Sequence, residues 1–167
     1  MAAGATYEPI ATSSPSGTNS VTFNSLGSYT DIRLVGQVIT TVAGQGVLCR
    51  VNGDTGVNYS VTQLRGTGAS AVSNRFSNDS MYFGEWNTSG TSTTLPMYGS
   101  LDFFSYGGST KKTVLGMGAN DQNGSGAVNR FVWLWNNTAA ITSITLSLAS
   151  GNFSAGTMFT LYGIKAA

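Results

Sequence analysis

Seven carboxylates and one thiol, with no histidine, bound the chemistry open to this chain of 167 residues. Without imidazole there is no Ser-His-Asp or Cys-His nucleophile activation, no imidazole general base, and none of the commonest metal ligand. One cysteine and no histidine leave a single chain short of a zinc site. A carboxylate pair of the glycosidase kind is what remains. The acids are Glu8, Asp31, Asp54, Asp79, Glu85, Asp102 and Asp121. Only Glu85, followed by Trp86, has a neighbour suited to a sugar, because an indole stacks a pyranose while a carboxylate accepts its hydroxyls. The plainer reading is a strand end with an interfacial tryptophan, and an enzyme is not expected.

Two further groups have a chemical and a structural reading. Asp54 in Asn52-Gly53-Asp54-Thr55-Gly56 could ligate calcium with Asn52 and Asn58, but the loop lacks the acid density of such a site. A turn in which Asp54 accepts backbone N–H groups fits better. Gly116-Met117-Gly118 lacks the Lys-Ser/Thr and the helix of a phosphate loop. Cys49, inside Gly-Val-Leu-Cys-Arg-Val, reads as a small buried hydrophobe. No cofactor and no metal are expected.

Composition narrows the partners. Charged residues make up 9% of the chain, against about 25% in an ordinary globular protein. The net charge is +1, and Lys111-Lys112 is the only basic pair. Neither nucleic acid nor an anionic membrane is therefore expected as a partner. The first residues carry neither the basic start nor the apolar core of a signal peptide. A surface of Gly, Ser, Thr and Asn suits a protein whose exterior is largely held in contacts.

The elements that must position these groups read as strands. Runs at 20–25, 31–41, 46–51, 59–65, 80–85, 101–106, 110–117, 127–136, 141–148 and 157–165 are separated by Gly/Asn/Asp breakers. The pattern predicts an all-β, two-sheet antiparallel β-sandwich, jelly-roll-like, with residues 1–18 as an extended N-terminal arm and 19–167 as the sandwich domain. Pro9 and Pro15 forbid a regular helix in the arm. The stretches 66–78 and 87–94 read as long polar loops. The last segment, 141–167, reads as a hairpin whose second run, apolar on both faces, is covered on both sides. In Phe131-Val132-Trp133-Leu134-Trp135 the aromatic rings share one face, which points to the core or to a subunit interface; Phe131, Trp133, Trp135 and Tyr162 are the expected interface residues.

Three blocks carry a resemblance. The opening ATYEPIAT with SVTFNSL and YTDIRLV, the middle RVNGDTGVNYSVTQLRG, and the end ITSITLSLASGNFSAGTMFTLYGIKAA resemble a family of short virion-associated structural proteins of tailed bacteriophages, notably marine ones. The similarity weakens between about 71 and 123. It implies a non-enzymatic β-sandwich subunit of the virion and supplies no catalytic residue. The expectation is a capsid decoration or cement protein on the outer shell, a homotrimer bound to the major capsid protein through Tyr7, Glu8, Pro9 and Ile10. The lack of a repetitive shaft favours this over the alternative, a tail- or head-fibre adhesin. That alternative binds a host surface glycan through Glu85, Trp86 and Arg75.

Overall fold

The structure, a computed structural model, describes residues 6–85 and 90–165. These residues form twelve strands: β1 (Tyr7–Ser13), β2 (Ser20–Phe23), β3 (Asp31–Val38), β4 (Val47–Val51), β5 (Tyr59–Gly66), β6 (Ala71–Asn78), β7 (Met81–Phe83), β8 (Met97–Phe103), β9 (Lys112–Asp121), β10 (Gly126–Trp135), β11 (Ile144–Leu148) and β12 (Met158–Ile164). They make two antiparallel sheets, one of eight strands in the order β1-β12-β3-β8-β9-β10-β5-β6 and one of four in the order β2-β11-β4-β7. The fold is an all-β sandwich of unequal layers.

Alternation explains the layering. In β3, β8, β9, β10 and β12 every second side chain turns inward, placing Leu34, Leu101, Val114, Trp133 and Phe159 on the inner face of the large sheet. Ile144, Leu146, Val47, Cys49, Val51, Met81 and Phe83 answer from the small sheet. The Phe83 and Phe159 rings meet across the layers at 5.5 Å in an edge-on contact. Each fully buried side chain of this size contributes about 1.5–3 kcal/mol, so the seam between the sheets dominates the stability of the fold.

The layers come closest where side chains are missing. A Cβ on Gly118 of β9 would lie 2.3 Å from the Cα of Gly84, and one on Gly99 of β8 would lie 3.0 Å from the Gly84 nitrogen. Gly84 itself has φ +82°, a left-handed conformation that glycine adopts without strain. Gly118 and Gly99 are thus a landing place for the backbone that leaves β7.

Three expectations are corrected. The end of the chain is not a hairpin: β11 lies between β2 and β4 in the small sheet, whereas β12 lies between β1 and β3 in the large one. The link between them crosses the sandwich with Phe153 fully buried as its anchor. Alternation reveals a strand but not its neighbour. The stretch 66–78 is not a long loop, since residues 71–78 form β6 in unbroken register with β5. Residues 6–18 are not an arm apart from the domain. β1 is an edge strand of the large sheet, and Gly17 N–H donates to Phe153 O at 2.9 Å while Phe153 N–H donates to Thr18 O at 2.8 Å.

Candidate functional site

The polar groups collect in one cluster inside the sandwich, in a second at its end, and across its broad outer face. The first cluster centres on Glu85, which follows Gly84 and is driven inward where that backbone rests on Gly118. Its carboxylate is fully buried. Arg65 of β5 donates Nε to both carboxylate oxygens at 3.2 Å, and Asn129 of β10 donates Nδ2 to Oε2. Gln63 of β5 extends the chain by donating Nε2 to Asn129 Oδ1 at 2.6 Å. Arg65 and Asn129 are cross-strand partners on the inner face, so the antiparallel register assembles the cluster. Charge-assisted donors of this kind hold a carboxylate as an acceptor. Buried in this way, Glu85 is out of reach of a sugar.

The second cluster lies at the other end of β10. Trp135 Nε1 donates to Asp54 Oδ2 at 2.7 Å, Gly56 N–H donates to Oδ1 at 2.9 Å, and Asn58 Nδ2 reaches both oxygens at 3.0–3.1 Å. The turn reading of Asp54 holds, and its lone pairs are taken up by N–H donors from its own loop and from Trp135. Burial works to raise the Asp54 pKa, but the donors from Trp135, Gly56 and Asn58 outweigh it and hold the carboxyl below its ordinary range. Tyr59, fully buried beside the loop, donates its hydroxyl to Asp54 O at 3.1 Å.

Lys112, half of the one basic pair, is also interior. Its ammonium donates to the carbonyls of Gly108 at 2.7 Å, Thr138 at 3.4 Å and Thr110, and burial lowers its pKa. It ties the turn after β8 to the segment that leads into β11. The Cys49 thiol is buried and its pKa is pushed up by loss of solvent, as expected of an inert side chain. Among the described residues no three His, Cys, Asp or Glu side chains converge as metal ligands would.

The aromatic strip is core, not interface. Phe131, Trp133 and Trp135 are all buried within the chain. Trp133 takes edge-on contacts from Phe76 of β6 at 6.2 Å and Tyr82 of β7 at 5.8 Å. The four-stranded sheet covers the face on which these rings lie, and no subunit is needed to do so. Tyr162 alone of the expected four turns outward, where its ring sits 5.2 Å from that of Tyr7.

Arg75 and Glu85 are not brought together. Arg75 stands opposite Thr62, in line with exposed Val132, on the outer face of the large sheet, whereas Glu85 lies beneath the inner face. Trp86 falls outside the described residues. The expected shell-contact residues occupy the β1 edge. Glu8 accepts from Lys165 Nζ at 2.9 Å and from Tyr29 OH at 3.2 Å, Pro9 faces Tyr162, and Ile10 packs on the core. Tyr7 and Pro9 remain exposed.

The outer face was signalled in the sequence only at β12, whose run is apolar on both faces; among the described residues no layer covers that side, and Met158 is exposed. Register places Val128, Ala119, Tyr98, Gln37 and Met158 in one cross-strand row, Leu64, Arg130, Met117, Ser100 and Val35 in the next, and Val132, Leu115, Asp102, Arg33 and Tyr162 in a third. Leu64, Tyr98, Leu115, Val128, Val132 and Met158 are exposed large hydrophobics. A hollow of about 340 Å³ opens over Gly36, walled by Tyr98, Met117, Met158 and Tyr162. Arg33 and Asp102 pair at 3.4 Å nearby. Desolvation raises the Asp102 pKa against the pull of Arg33 and Arg130, with Asp31 adding to the rise.

No protein-family model, curated protein or solved structure matches this chain.

Proposed function

We propose that this chain is a non-enzymatic structural protein of a bacteriophage virion, a decoration protein that lies on the outer capsid shell and braces neighbouring capsomers. The observation that carries the reading is the outer face of the eight-stranded sheet. Its exposed Leu, Val, Tyr and Met side chains run in rows across β5, β10, β9, β8 and β12, interrupted by Arg130 and the Arg33–Asp102 pair. A broad, shallow, apolar surface of low charge suits another protein's flat surface better than a small substrate. The three sequence blocks that resemble phage virion proteins support the same reading, and two of them supply β3 and β12 of that sheet. The exposed Tyr7 and Pro9 continue the surface at the β1 edge.

The rival reading, a fibre adhesin for a host glycan, is weaker at two of its three residues, because Glu85 is buried and Arg75 lies on the opposite face, while Trp86 lies outside the described residues. The test is the copy number per purified virion, measured by quantitative mass spectrometry against the major capsid protein. Hundreds of copies are expected. A few to a few dozen would assign the protein to a tail or vertex fibre instead. A Val132→Asp, Leu115→Asp double variant is expected to fold and to leave the shell unoccupied.

A further inference from the structure

The two edges of the eight-stranded sheet are built differently. At β1 the edge carries Pro9, which has no N–H to offer, and the register with β12 shifts between Pro9 and Ala11. Glu8 there is bound to Lys165 and Tyr29. A proline, a bulge and an anchored charge are the devices by which sheet edges are closed to further pairing. β6 has none of them. All of its residues pair with β5 without interruption, it contains no proline, and its one charge is Arg75. Most of its side chains are exposed, because the small sheet ends short of it. The edges of that small sheet, β2 and β7, are four and three residues long and offer far less backbone.

We propose that β6 is a pairing edge for the β6 of a second copy of this chain, the two strands running antiparallel about a two-fold axis and joining two large sheets into one. The strand's own sequence selects the second copy as occupant and sets the register. Opposed residues of an antiparallel pair lie on the same face of the sheet, so outward residues must meet outward ones. Centring the axis on Arg75 would set two guanidinium groups against each other. Centring it on Ser73 would draw the tight turn at 67–70 into the ladder. Centring it on Asn74 pairs Val72 with Phe76, Ser73 with Arg75 and Ala71 with Ser77, with no like charges opposed. Such a contact is isologous and closes on itself as a dimer rather than growing into a fibre.

The test uses the free, full-length protein, so its failure leaves the shell-binding reading standing, and the loss of that reading leaves this one. At the axis Asn74 faces its own copy at a Cα separation of about 4.5–5.5 Å, within the reach of a disulfide. Asn74→Cys is expected to give a covalent dimer on mild oxidation, faster than Val57→Cys, which places a thiol on an exposed loop. The native Cys49 is buried and does not compete. By sedimentation equilibrium Ser73→Lys, opposite Arg75 of the partner, is expected to weaken the dimer by about tenfold. Ser73→Glu is expected to strengthen it, and Arg75→Glu added to Ser73→Lys to restore it. All three positions are exposed, so the fold is left intact. A wild-type chain that stays monomeric at every concentration, with Asn74→Cys oxidising no faster than Val57→Cys, overturns the proposal. So does an equal effect of Ser73→Lys and Ser73→Glu.

Discussion

Two carboxylates, the half-buried Asp54 and the fully buried Glu85, sit near opposite ends of the same strand and are satisfied in opposite ways. Asp54 is served mostly by its own loop: Gly56 and Asn58 are two and four residues away, and only Trp135 comes from a distance. Glu85 is served by Arg65 and Asn129, twenty and 44 residues away, on two other strands. The first cluster can form as a turn and then be capped by the sheet. The second exists only once β5, β10 and the segment after β7 are all in place. A carboxylate near the surface with local donors tolerates the loss of one of them, because water can replace it. A fully buried one does not.

The contrast can be broken most directly at Glu85. Glu85→Ala leaves the Arg65 guanidinium, only 13% exposed, without its partner, and is expected to cost about 3–5 kcal/mol in urea unfolding. A Glu85→Leu, Arg65→Met double variant is expected to recover most of that loss; if it does not, the pair is not what holds this end together. Gly118→Ala sharpens the point, since a methyl there meets the Gly84 backbone that delivers Glu85. Its expected cost is about 1–3 kcal/mol, read from thermal unfolding by circular dichroism. At the other cluster, Trp135→Phe removes one donor to a charged acceptor and some ring volume, for about 2 kcal/mol by the same measurement. The smallest effect belongs to pH. The Asp54 pKa is lower folded than unfolded, so its contribution is present above about pH 4 and lost as pH falls through the folded value. Asp54→Asn should therefore flatten the acid limb of stability against pH and leave the neutral region's slope unchanged.

The same contrast separates what could be read in the sequence from what could not. Asn52-Gly53-Asp54 announces a turn because the relevant donors lie within a few residues, and ten strands announce themselves by alternation or by runs of β-forming residues. β6 was missed because it is a mostly exposed edge strand in which only Val72 and Phe76 mark the inner face, too few apolar residues to stand out as alternation among Ser, Asn and Arg. β1 was missed because prolines mark it as a non-helix without revealing a partner 150 residues away. The position of Phe131, Trp133 and Trp135 in the core rather than between subunits turns on which sheet covers β10, a long-range fact that local spacing does not carry. Glu85 looked like a sugar contact because Trp86 follows it. The Gly84–Gly118 contact that takes it inward joins residues with no sequence pattern in common.

The bond between Thr12 Oγ1 and Thr160 Oγ1, at 3.1 Å, spans 148 positions of the chain. It belongs to the pairing of β1 with β12, which also supplies the second neighbour of β3. β1 and β3 leave the ribosome before β12, so β1 must wait for its partner. Until then β3 has only β8 beside it, and β1 has no neighbour. β9 and β10, joined through residues 122–125, can pair as soon as both are made, whereas the β1 edge can close only after synthesis has passed residue 164. Non-local closure of this kind is slow. During that interval the nascent chain exposes the Leu34 and Phe159 faces of strands awaiting each other, and yield in an expressing cell depends on how quickly that last register is found.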